Sequence, residues 1–109
     1  MESKTAYSLN RRIIQNFMDI IILKHLKNNH PMSGYDVIKY FHKKFHMLPS
    51  PGAVYSLLYS LERKNFIKGN TNQGKRVYKL TNRGEELLRE ISITRNHIHA
   101  VFFSVFSEV

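Results

Sequence analysis

The groups in this 109-residue sequence that could do chemistry are cations, hydroxyls and amides, with no set arranged for bond-breaking. His42 and His46 lie four apart, a spacing that brings two imidazoles to one helix face where they could share a metal ion. No third ligand accompanies them, and Lys43 and Lys44 between them repel a cation, so no metal site is expected. His97 and His99 are two apart, which turns them to different faces of a helix. The absence of cysteine removes thiol nucleophiles, disulfides and Cys-type zinc sites. No nucleophile, base and orienter fall together and no glycine-rich phosphate loop occurs, so neither an enzyme nor a cofactor is expected.

What remains is the chemistry of holding a polyanion. Ser50, Pro51 and Gly52 put free backbone amides and a positive helix end forward, which suits a phosphate, and Gly52 permits close approach. Tyr55, Ser56, Tyr59, Ser60, Arg63 and Lys64 follow on the polar side of the same helix, with groups that reach phosphate oxygens or base edges. Asn72, Gln73, Lys75 and Arg76 form a second polar and cationic group. Tyr35, Lys39, Lys43 and Lys44 form a third, on the helix before Ser50.

Charge supports that chemistry. Seventeen Lys and Arg against eight Asp and Glu give a net charge of +9. A surface merely kept soluble by scattered cations would also read as basic, but here the charge is segregated. Residues 9–83 hold 14 basic and three acidic residues, a balance of +11, whereas residues 84–109 hold two and four, a balance of −2. A duplex nucleic acid is the expected partner of the first part.

The elements that must position these groups follow from periodicity. Met1 to Ser8 shows none and reads as a flexible tail. Ile13, Phe17, Ile20, Leu23 and Leu26, with Ile21 beside them, mark one face of a helix that ends before Pro31. Ser33 caps a second helix, with Asp36 in the answering position and Tyr35, Val37, Ile38, Phe41 and Phe45 as its stripe. Ser50 caps a third, with Pro51 at its first position and Val54, Leu57, Leu58 and Leu61 on its buried side, running to about Lys64. A short strand at Phe66 and Ile67, a polar turn from Gly69 to Gly74 and a second strand from Arg76 to Leu80 make a basic hairpin. Thr81 or Asn82 opens one long last helix toward Phe106, whose positions Leu87, Ile91, Thr94, Ile98, Val101 and Val105 repeat like a heptad seam, widened by Phe102, Phe103 and Phe106. So apolar a helix should dock on another, and a dimer interface of Phe17, Ile21, Leu87, Ile91, Thr94, Ile98, Val101, Phe102, Val105 and Phe106 is expected.

Three helices, a two-stranded hairpin and a further helix give a mainly α fold with a small β-hairpin (α+β), the layout of a winged helix-turn-helix with a C-terminal dimerisation helix. The boundaries are a tail over 1–8, a DNA-binding domain over 9–83 and a dimerisation helix over 84–109. Four stretches in order also resemble the PadR-like transcription regulators: Pro31 to Ile38 (PMSGYDVI), Pro49 to Tyr55 (PSPGAVY), Leu58 to Glu62 (LYSLE) and Arg76 to Gly84 (RVYKLTNRG). The resemblance covers about Asn16 to Leu88. It implies a winged-helix homodimer, usually a repressor on a palindromic operator, with Ser50 to Lys64 as the recognition helix. Ser56 stands where many members carry proline, and a single C-terminal helix replaces their longer helical domain, which leaves no evident pocket for a large effector.

The expected function is therefore a sequence-specific regulator on double-stranded DNA, acting as a homodimer. A winged helix used for protein or RNA interaction is the rival, since one fold serves several ends. No apolar run approaches the length of a signal peptide or a membrane span, so a cytoplasmic protein without a membrane partner is expected.

Overall fold

A computed structural model describes residues 3–28 and 30–109 of the chain. The tail expected over Met1 to Ser8 is helical in its described part. Ser3 caps α1 (Lys4–Asn16) by accepting the Ala6 amide hydrogen at 3.0 Å, while Met1 and Glu2 lie outside the described residues. The sequence reading missed the half-buried Ala6, Leu9 and Ile13, whose steps of three and four mark a face of this helix.

The first expected helix is divided at Phe17, and α2 (Met18–Lys27) carries the core stripe Met18, Ile22, Leu23 and Leu26. The Asn16 side-chain amide donates to the Arg12 carbonyl at 2.9 Å, and the Phe17 amide turns to the Ile14 carbonyl at 3.2 Å, a tighter bond that closes α1. The break lets Met18 enter the core while Phe17 stays outside against Phe102, with ring centroids 5.9 Å apart.

Ser33 starts α3 (Gly34–Phe45) with a complete capping box. Its hydroxyl accepts from the Asp36 amide at 3.1 Å, and the Asp36 carboxylate accepts from the Ser33 amide at 3.0 Å. His46 ends α3 in the left-handed region, at φ 52°. It therefore leaves the helical register, and the pairing of His42 with His46 on one helix face does not occur.

Ser50 caps α4 (Pro51–Arg63), with Pro51 in the first turn. The helix closes in a Schellman arrangement. Asn65 takes φ 65°, its amide bonding the Glu62 carbonyl at 2.9 Å, while the Phe66 amide bonds the Leu61 carbonyl at 3.0 Å.

The hairpin is longer than its apolar residues suggested, β1 (Ile67–Asn72) pairing antiparallel with β2 (Lys75–Leu80) from Ile67 opposite Leu80 to Asn72 opposite Lys75. Only Gln73 and Gly74 turn the chain, at φ 52° and 76°, the two left-handed residues that a type I′ hairpin turn requires. A bridge from Met32 to Tyr78, with hydrogen bonds of 3.0 and 2.8 Å, ties the other edge of β2 to the start of α3.

The expected long last helix is two, α5 (Asn82–Ile93) and α6 (Arg95–Phe106). Between them the Thr94 hydroxyl donates to the carbonyls of Glu90 and Ile91, at 3.3 and 3.1 Å, a back-bonding that bends helices. One core joins the elements: Ile22 and Leu23 from α2, Val37 and Phe41 from α3, Val54, Leu58 and Leu61 from α4, Ile67 from β1 and Tyr78 from β2. The result is a mainly α winged helix with a small β-hairpin. No helix among the described residues is long and apolar enough to cross a membrane.

Candidate nucleic-acid interface

The core contacts of α4 decide what its other side offers. With Val54, Leu58 and Leu61 buried, the residues at steps of four, three and four on the opposite side are Gly52, Ser56, Tyr59 and Arg63. All four are exposed, Tyr59 at 63%. The Arg63 guanidinium lies 5.9 Å from the Tyr59 ring centroid, which holds a long cation against a flat ring instead of leaving it to sweep through solvent. Ser50, Pro51 and Gly52 are exposed at the helix start, and open space surrounds the Gly52 α-carbon.

Two flanks border this face. On one, Tyr55 leans onto the start of α3, where a β-carbon at Gly34 would run into its ring. Tyr55 is thus both a surface group, at 49% exposure, and a packing group. On the other flank Ser60 is half-buried, so it offers less than expected, while Lys64 caps the end of α4 and is exposed.

On α3, Tyr35 and Lys39 are both exposed and pair with each other, the ammonium 5.4 Å from the ring centroid. The Asp36 carboxyl sits below its ordinary range, chiefly because the Ser33 amide donates to it, helped by the Ser33 hydroxyl, Lys75 and Lys39 and opposed by partial burial. That Lys75 and Lys39 both act on Asp36 brings the hairpin and the start of α3 together. Lys43 is exposed. Lys44 departs from the group, lining a groove of about 460 Å³ with Tyr7, Arg11 and Phe45 on the α1 side.

At the hairpin, Asn72, Gln73 and Lys75 are exposed at the tip. Arg76 is placed differently from the free cation that its position suggested. Its Nη2 donates to both carboxylate oxygens of Glu62, at 2.8 and 3.1 Å, and its guanidinium lies 5.7 Å from the Tyr78 ring centroid. Glu62 also accepts the Gly69 amide hydrogen at 3.0 Å. Those contacts hold the Glu62 carboxyl below its usual range, the Gly69 amide chiefly, opposed by partial burial and helped by Arg76.

The sequence reading missed Lys68 and Lys79, which face each other across the ladder and are both exposed. Directly opposed like charges destabilise a hairpin, unless a polyanion lies against them. A two-residue turn at Gln73 and Gly74 would have revealed the pair, because it fixes the register.

The second expected surface divides. Phe17, Ile91, Thr94, Ile98 and Phe102 line one groove of about 680 Å³ between α1, α2, α5 and α6. Val101, Val105 and Phe106 are exposed. Ile21 and Leu87, expected at an interface, rest in part on the chain's own core. Thr94 interrupts the heptad seam, since its hydroxyl bonds its own helix.

Comparison with known proteins identifies the family and the fold. A family model described as the transcriptional regulator PadR-like family matches residues 22–90. No curated protein matches the sequence. Among solved structures, a PadR family transcription regulator from Clostridium difficile is 26% identical over 83% of this chain and 97% of its own, with a TM-score of 0.68. A PadR-like transcriptional regulator from Bacillus cereus shares the fold at a TM-score of 0.74 and 17% identity, over 90% and 99% of the two chains. Bacillus subtilis PadR, solved in complex with operator DNA, is 26% identical over 83% of this chain and 60% of its own, with a TM-score of 0.61.

Proposed function

The chain belongs to the PadR-like family of transcriptional regulators, and we propose that it is a repressor that binds a palindromic operator in duplex DNA as a homodimer. Residues 9–83 meet the DNA and residues 84–109 join the two copies. The observation that carries this reading is the exposed face of α4, formed by Gly52, Ser56, Tyr59 and Arg63 opposite its buried Val54, Leu58 and Leu61. Between Asp36 and Glu85 the one acidic residue is Glu62, and it is paired with Arg76.

In this reading α4 enters the major groove with its N-terminal amides toward a phosphate, and Ser56, Tyr59 and Arg63 reach base edges or the backbone. Tyr55, Ser50, Pro51 and Lys64 border the contact, Lys43 adds to the field, and Asn72, Gln73 and Lys75 lie along the backbone or in the minor groove. Lys68 and Lys79 extend that cationic edge. The operator complex of the Bacillus subtilis relative supports duplex DNA as the ligand. The protein acts in the cytoplasm.

Selection from a random duplex library tests the proposal. The expected product is an inverted repeat whose half-sites are one or more helical turns apart, bound more tightly than its scrambled version and less tightly as salt rises. Equal affinity for RNA, or recovery of no common sequence, contradicts it.

A further inference from the structure

The carboxylate of Glu62 joins three elements at one point. It accepts from Gly69 on β1 and from Arg76 on β2 while standing on the last turn of α4. Gly69 is fitted to this: a β-carbon there would come within 2.9 Å of the guanidinium, closer than real side chains approach. Tyr78, buried at 7% exposure, supplies the floor on which the guanidinium rests. An exposed ion pair contributes little to stability by itself. A shared carboxylate that takes one amide and one guanidinium from two different strands instead fixes an angle, that of the hairpin against α4.

The charges point the same way. An acid on a surface that meets phosphates is repelled by them, and Glu62 is neutralised by Arg76. Conversely, Arg76 directs Nη2 at both carboxylate oxygens of Glu62, although half of the side chain is exposed. We infer that Glu62 and Arg76 are positioning residues, a clasp that sets the wing relative to the recognition helix, and that Arg76 makes no phosphate contact. Lys75, next to it and exposed at the tip, makes the contact that Arg76 does not. This rests on the DNA-binding reading above.

Salt dependence separates the roles, because each neutralised phosphate contributes about 0.9 to the slope of log K against log salt. The probe is an inverted-repeat duplex recovered by the selection. Lys75→Ala should lower the slope by about 1.8 for the dimer, about 0.9 from each copy. Arg76→Ala should leave the slope unchanged and weaken binding about tenfold, because it frees the wing and exposes an acid to the backbone. Glu62→Gln should weaken the parent protein but strengthen the Arg76→Ala variant, a reversal of sign that independent contacts do not give. It should also speed hydrogen exchange at the Gly69 amide without DNA, with the circular dichroism of the fold retained.

A slope lowered by about 1.8 in the Arg76→Ala dimer overturns the clasp. So does tighter binding of the otherwise unaltered protein by Glu62→Gln, which would mean that the freed guanidinium had found a phosphate. Either result leaves DNA binding standing. An unaltered protein with no salt-dependent affinity for duplex removes the reading and the inference together.

Discussion

Asp36 and Glu62 are the two acids of the basic module beyond α2, and backbone amides hold each of them as a carboxylate. Their ordinary pKa values, near 3.8 and 4.5, are lowered in the fold. A lowered native pKa stabilises the protein above the unfolded value, and that contribution is lost as pH falls through the native value. The melting temperature should therefore hold from neutrality to about pH 5 and fall below it, less steeply in Asp36→Asn and Glu62→Gln; equal steepness in both variants and their parent contradicts this. Ser33→Ala should cost about 1 kcal/mol in denaturant unfolding through the same cap. The two acids were not equally legible. Ser33 and Asp36 are three apart, so the box is a local pattern, whereas Glu62, Gly69 and Arg76 meet only through the register of a hairpin. Arg76 therefore read as a free cation.

At the scale of elements, start signals were readable and interruptions were not. Ser33, Ser50 with Pro51, and Thr81 mark α3, α4 and α5 by residues at the helix ends themselves. The breaks at Phe17 and Thr94 carry no glycine or proline. They come from the Phe17 amide tightening onto the Ile14 carbonyl, from the Thr94 hydroxyl bonding carbonyls of its preceding turn and from the shift of burial to Met18, which only packing decides. The hairpin turn was read too long because Gln73 is not a residue that marks a type I′ turn, although Gly74 is. Asparagine adopts a positive φ more readily than glutamine, so Gln73→Asn should stabilise the chain by up to about 1 kcal/mol in chemical denaturation. A loss of stability contradicts the turn geometry. Leu58 is fully buried between α4 and its neighbours, and Leu58→Ala should cost about 2–5 kcal/mol.

The whole molecule is elongated, 52 × 31 × 21 Å with a radius of gyration of 15.4 Å, against about 13 Å for a compact chain of this length. The excess accompanies an α6 that leaves Ile98, Val101, Val105 and Phe106 exposed, with Phe103 on another side at 76%. That much apolar surface calls for a partner helix, and its clustering near the C-terminus was plain from the sequence, whereas the bend that aims it was not. In sedimentation the chain should run as a dimer, and Ile98→Glu together with Phe102→Glu should run as a monomer that keeps the fold of residues 9–83. A monomeric parent protein contradicts the dimer. The central claim, that two copies present α4 and the wing to DNA, is tested most directly by amide chemical shifts during titration with the selected duplex. The largest changes are expected at Gly52, Ser56, Tyr59, Arg63 and Asn72 to Lys75, saturating at two chains per duplex; changes centred on α1 or α5 with those residues unmoved would contradict it.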